Sequence, residues 1–194
     1  MKGPQRQFDE IHVLRTLLIL EKERQIGRKE LVKKLDLGEG SVRSVLTTLM
    51  KKDYVTSAVA KGHSLSNMGE QFVTGLHKFI LGPKIIDAKE LTIGDKDVAI
   101  LVRNAVKKVK IGIAERDAAI KIGSLGVTVL IFKNNGLIFP DQTELKIKNE
   151  NLYKSFDFND GDVLIIGTDK NYAKAENAAV AALFVLIGDK IVFE

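Results

Sequence analysis

The sequence predicts an α+β protein of two domains: a helical one bearing a β-hairpin over residues 1–83, and a two-layer α/β sandwich over residues 84–194. Three observations carry this reading. Apolar residues recur at helical spacing up to about Ile80 and give way to short β-branched runs after Gly82-Pro83, where proline disfavours helix at the residue before it. The composition, 45% apolar and 28% charged with 16 Gly and 3 Pro in 194 residues, is that of a folded globular chain. The formal charge of +5 lies wholly in residues 1–83, which hold 14 Lys/Arg against 9 Asp/Glu, whereas residues 84–194 hold 16 of each.

The same composition excludes several functions. With no cysteine, disulfides, thiolate nucleophiles and Cys-ligated zinc or iron–sulfur sites are ruled out. His12, His63 and His77 are scattered, so no metal site is expected. No cofactor loop appears either. Gly123-Ser-Leu-Gly126 lacks the lysine of a phosphate loop and the third glycine of a dinucleotide loop, and reads as a helix end followed by a turn. The longest apolar run, Ala178 to Ile187, is too short to span a bilayer. Met1 to Asp9 is polar and shows no signal peptide, so a cytoplasmic setting away from membranes is expected.

Along the first half, Ile11, Leu14, Leu17 and Leu18 mark one face of a helix from Phe8 to Glu23. Gln25-Ile26-Gly27 interrupts it. Leu31, Val32 and Leu35 mark a second helix, Arg28 to Leu35, and Asp36 to Gly40 reads as a tight turn. A third helix buries Val42, Val45, Leu46 and Leu49. Its other faces carry Ser41, Arg43, Ser44, Thr47, Thr48 and Lys51, all short or basic. Such a face suits a major groove: hydroxyls bond phosphates or base edges, and Arg43 is the residue type that pairs bidentately with guanine. Two short strands, Tyr54 to Ala58 and His63 to Ser66, then flank a basic tip at Ala60-Lys61-Gly62.

A helix-turn-helix followed directly by a hairpin is the winged-helix order of elements. On Leu37-Gly-Glu-Gly-Ser-Val-Arg-Ser-Val-Leu46 with Leu49, Tyr54-Val55, and Gly62-His-Ser-Leu-Ser66 with Gly69, the chain resembles the winged-helix DNA-binding families of bacterial and archaeal regulators, from Phe8 to roughly Phe79. The resemblance implies that Ser41, Arg43, Ser44, Thr47 and Thr48 face base edges or phosphates. It places Arg28 and Lys29 against backbone phosphate, with Lys51 adding charge, and Lys61 and His63 at the backbone or minor groove from the wing. Ser66 reads as the N-cap of a fourth helix reaching Gly82-Pro83. On it Met68, Phe72, Leu76 and Ile80 form a stripe expected to seam a homodimer, with Phe79 extending it.

In the second half, strands are expected at Val98 to Val102, Val106 to Ile111, Val127 to Phe132, Leu137 to Phe139 and Val163 to Ile166, with a last short one at Lys190 to Phe193. Lys84 to Leu91 reads as a strand or extended arm, and Lys133-Asn-Asn-Gly136 as a hairpin turn. Helices are expected over Ala114 to Ile122 and Tyr172 to Ile187, the latter apolar nearly all round. This order predicts an antiparallel or mixed sheet with two helices. It is similar, through that order and the runs Glu115 to Ala119 and Gly123 to Val127, to the GAD-type domain of some aspartyl-tRNA synthetases and amidotransferase subunits. The whole chain resembles an uncharacterised archaeal family that joins a winged helix to such a domain.

Function is therefore expected to be regulation by binding double-stranded DNA, as a homodimer whose C-terminal domain senses a small-molecule effector or stabilises the dimer. Arg116, Asp117 and Asp141 are the candidate effector contacts, Arg116 for a carboxylate or phosphate. No catalytic constellation appears, so no enzyme is expected. The competing class is a protein-interaction or RNA-associated adaptor without specific DNA recognition.

Overall fold

The structure, a computed structural model, describes residues 8–58, 62–141, 143, 145 and 149–193. It divides into two compact units between Leu76 and His77.

The first unit is a winged helix-turn-helix. Helix α1 (Glu10–Glu23) starts at Asp9, whose carboxylate accepts the backbone N–H groups of Ile11 and His12 while the His12 ring reaches back to the Asp9 N–H. It buries Leu14, Leu17 and Leu20 against α2 (Arg28–Leu35) and α3 (Glu39–Lys51), which bury Leu31, Leu35, Val42, Val45 and Leu49. Strands β1 (Val55–Ala58) and β2 (Gly62–Leu65) form the wing hairpin, and Ile26 adds a third rung by exchanging backbone bonds with His63. Gly62 sits at φ +91°, and a Cβ there would lie 2.5 Å from the Ile26 carbonyl oxygen, so only glycine permits that rung.

Among the described residues of this unit one charged side chain is buried, Arg15. It is 1% exposed and donates to the carbonyls of Lys34 (2.9 Å) and Leu35 (3.4 Å) at the end of α2. A cation there meets both the open carbonyls and the negative pole of the helix.

Helix α4 (Asn67–Leu76) begins as expected, with Ser66 Oγ accepting the Gly69 N–H at 3.1 Å, but it ends well before Gly82-Pro83. Ile80 opens a strand instead and pairs with Val102. The expected seam of Met68, Phe72, Leu76 and Ile80 is therefore not one helix face. Phe72 packs edge-on against Tyr54 at 5.4 Å, Leu76 is buried, and only Met68 stays exposed. The four-residue spacing reported burial in two different elements.

The second unit is a five-stranded sheet in the order β3-β4-β7-β5-β6, formed by β3 (Ile80–Ile86), β4 (Lys96–Val102), β5 (Gly126–Lys133), β6 (Gly136–Ile138) and β7 (Val163–Asp169). Every pairing is antiparallel, so the mixed sheet gives way to the antiparallel alternative. Gly82-Pro83, expected as the domain boundary, lies inside β3 on the sheet edge, where the register slips between Leu81 and Lys84. An edge strand tolerates the missing proline N–H.

Helices α5 (Ile113–Lys121) and α7 (Tyr172–Ile187) cover one sheet face. Gly167 makes this possible: a Cβ there would stand 2.1 Å from the Ala175 carbonyl oxygen and 2.5 Å from the Ala179 nitrogen. The other face holds Ala99, Leu101, Leu130, Leu164 and Ile166, capped by Leu152 and Phe156 from α6 (Glu150–Ser155) and its exit. Helix α6 thus covers part of the face opposite α5 and α7. Two expected strands are absent from the ladder. Val106 to Ile111 holds a short 3-10 turn at Val106–Lys108, because Asn104, at φ 47°, turns the chain away from β4 and bonds to Asp162. Near the end of the chain a 3-10 turn, Gly188–Lys190, runs into the first residue of the last expected strand, and Ile191 to Phe193 join no strand.

Two stability outcomes follow. Arg15→Met, which keeps bulk but strands the α2 carbonyls, should lower unfolding free energy by about 3 kcal/mol, the scale of hydrogen bonds to a charged group. Gly167→Ala should cost about 2–3 kcal/mol through overpacking against backbone. Denaturant unfolding of the full chain, followed by circular dichroism, checks both; a change under half a kcal/mol would contradict either.

Candidate nucleic-acid interface

The position of α3 is set at three points. Asp36 takes the left-handed conformation (φ 54°) and donates its N–H to Val32, closing α2 and starting the turn. Gly38 is the N-cap of α3 and supplies no capping side chain, which leaves the first-turn N–H groups uncapped. Arg28 at the start of α2 bonds Glu39 in the first turn of α3 at 2.8 Å, tying the two helices together.

The outward side of α3 presents Arg43, Ser44, Thr47 and Lys51 as exposed residues, with Thr48 half-buried. Arg43 and Lys51 form no ion pair among the described residues. Ser44 donates to the Gly40 carbonyl at 3.0 Å and Thr48 to the Ser44 carbonyl at 2.9 Å, so each hydroxyl spends its proton on its own helix and offers its oxygen as an acceptor. Ser41 departs from the expected set: it is 9% exposed and sits on the inner side beside Val42. Met50 was missed. It is 37% exposed and lies seven residues after Arg43 and three after Thr47, hence on the same helix face. That spacing is visible in the sequence, and attention to polar residues alone passed it over.

The remaining candidates are placed unequally. Lys29 is exposed, whereas Arg28 is engaged with Glu39, so a phosphate would have to displace that carboxylate. His63 is half-buried on β2 and held by its backbone to Ile26; its Nδ1 has no partner. Burial pushes the imidazole below its usual pKa and the Arg28 guanidinium adds to this, against a smaller opposing effect of the Ile26 backbone bond. Lys61 lies outside the described residues. The wing strands carry a cross-strand hydroxyl pair, Thr56 with Ser64, at 3.1 Å.

In the second unit, Arg116 and Asp117 are exposed on α5 and form no ion pair among the described residues. Asp141 is exposed too, and its carboxyl is held below the usual range by the backbone and side chain of Thr143. None of the three lines either of two shallow cavities. One, of about 220 Å³, lies among Leu20, Arg24, Ser64 and Glu70; the other, of about 360 Å³, among Asn135, Glu150, Tyr153 and Lys154. The Gly123 to Gly126 loop has its Leu125 N–H committed to the Asp169 carboxylate at 3.0 Å, which would repel an anion. Among the described residues no three His, Asp or Glu side chains gather as metal ligands, and no helix is long and apolar enough to cross a membrane.

Fold and site together define the class: a winged-helix unit joined to an antiparallel α/β unit. Residues 11–71 match the family described as PH0730-like, N-terminal domain, and residues 93–186 match the one described as Domain of unknown function (DUF4443), where a GAD-like domain was expected. Among solved structures the chain is similar to the hypothetical protein PH0730 from Pyrococcus horikoshii OT3, at 28% identity and a TM-score of 0.79 over 96% of each chain. No curated protein matches the chain.

The placement of His63 yields a pH effect. Because its folded pKa is lowered, the unfolded chain binds the extra proton more readily, so its contribution to stability is present above about 6.5 and is lost as pH falls through the lower folded value. Unfolding of His63→Gln, compared with the parent chain from neutral to mildly acidic pH, should show a shallower decline; parallel curves would contradict this.

Proposed function

We propose that the chain is a sequence-specific regulator that binds double-stranded DNA through α3, acting as a homodimer. The observation that carries this reading is the outer face of α3, where Arg43, Thr47 and Lys51 stand exposed and Arg43 and Lys51 are free of ion pairs among the described residues. An unpaired guanidinium on an exposed helix face can enter a major groove and pair with guanine O6 and N7 without first breaking an internal bond. Ser44 and Thr48 then act as acceptors, or re-aim their protons, while Lys29 and Lys51 supply attraction to phosphate. The excess of five positive charges in residues 1–83 gives that attraction its salt dependence. In this reading Arg28 orients α3 through Glu39, and His63 ties the outer half of the wing to Ile26 through its backbone.

The second unit serves assembly in preference to effector sensing, since Arg116 and Asp117 lie on an exposed helix face rather than in a cavity. An effector would act only by favouring one arrangement of the two winged helices. No reaction is assigned to either unit. The second reading, an adaptor that docks protein or RNA, is favoured by one observation: Met50 places a flexible apolar side chain amid the polar face.

Gel shifts against genomic fragments at physiological salt separate the two, fragment preference supporting the regulator and its absence the adaptor. Arg43→Ala should cost roughly 1–3 kcal/mol on the preferred fragment and relax specificity at one base pair, whereas Lys29→Ala should weaken all fragments alike and reduce the salt slope by about one. Equal losses from Arg43→Ala on specific and random DNA would overturn its base-reading role.

A further inference from the structure

Helix α5 buries Glu115 and Ala119 against α7 and β5, and turns the opposite side outward. That outer side carries Ile113 (53% exposed), Arg116, Asp117 and Ile120 (47% exposed). At 100° per residue these four fall within about a third of the helix circumference, so they form one stripe. Two half-exposed isoleucines are costly to leave in water, and the charges between them have no partner among the described residues.

The order of residues in the stripe is its own mirror. Reading from the midpoint between Arg116 and Asp117, an opposite charge comes first on each side, then isoleucine at Ile113 and Ile120. Ile111 and Ile122, both exposed, flank the helix at equal distance from the same midpoint. A surface with this symmetry is complementary to a second copy of itself related by a two-fold axis. With two α5 helices antiparallel across such an axis, Ile113 of each copy meets Ile120 of the other. Arg116 of each then meets Asp117 of the other, giving two ion pairs at the centre. A parallel arrangement would set Arg116 against Arg116 and is disfavoured by like-charge repulsion.

We propose that the outer face of α5 is a homodimer contact, in which a second copy of this chain covers Ile113 and Ile120 and exchanges Arg116–Asp117 pairs about a two-fold axis. It supplies a dimer contact that the α4 stripe does not. A contact centred on one nine-residue helix is small beside a standard interface, so the dimer is a dissociable one. Binding of DNA by one winged helix does not depend on it.

Sedimentation of the full chain without DNA, over a concentration series reaching several hundred micromolar, tests the proposal. The parent chain should pass from monomer to dimer within the series. Arg116→Asp, which sets two acidic pairs face to face, should raise the dissociation constant at least about tenfold. Combining it with Asp117→Arg reverses both charges and should restore the parent value within about threefold. Ile113→Lys should also weaken the dimer. Thermal unfolding of each variant checks that the fold is kept, which the exposure of these side chains favours. A parent chain that stays monomeric throughout would overturn the proposal. So would a dimer indifferent to Arg116→Asp, or a folded double variant that fails to recover. Because no DNA is present, none of these results bears on the DNA-binding reading.

Discussion

The geometry of the first unit hangs on one buried guanidinium. Arg15 reaches from α1 to the final carbonyls of α2, and in doing so holds the helix whose end leads directly into the turn before α3. Burying a charge is expensive, and here it is offset by carbonyl oxygens that would otherwise lack partners and by the negative pole of α2. The opposite end of α2 is held by softer ties: the Ile26–His63 backbone exchange fastens it to the wing, and Arg28–Glu39 fastens it to α3. Helix α2 is thus clamped at both ends, and the outer face of α3 is presented by a rigid neighbour rather than by a loop.

The second unit is organised by close approach. Gly167 lets α7 lie against β7 at distances no side chain would allow, and the alanines of α7 keep the helix near the sheet along its length. Helix α5 lodges beside α7 on that face and leaves its own outer stripe exposed. This half is neutral in formal charge, in contrast to the positive excess of the first half.

Much of both units was legible in the residues. Helices Arg28–Leu35 and Tyr172–Ile187 were readable to their ends, because the apolar pattern is bounded there by Gly27 and Asp36 in the first and by Asn171 and Gly188 in the second. The misreadings share a cause. Val106 to Ile111 alternates like a strand, yet no neighbouring strand is available once Asn104 turns the chain. Ile80 continues a four-residue rhythm begun in α4, yet it is claimed by pairing with Val102. Helix α6 carries only Leu152 and Tyr153 as an apolar signal and forms because they cap a sheet face built elsewhere. Helix α3 shows the same division: the outward placement of Arg43, Thr47 and Lys51 follows from their spacing, whereas the inward turn of Ser41 and the commitment of Arg28 to Glu39 do not.

By itself, then, the sequence determined what depends on neighbours within a few residues: the helix periods, the turn chemistry, the hairpin at Asn134-Asn135-Gly136 and the polar set on α3. Tertiary structure alone decided which apolar runs found a strand to pair with, which cation was spent inside the fold, and which helix face was left exposed. Those outcomes turn on contacts between residues far apart in the chain, such as Ile80 with Val102 and Arg15 with Lys34, and local preference carries no information about which distant group will be there to meet them.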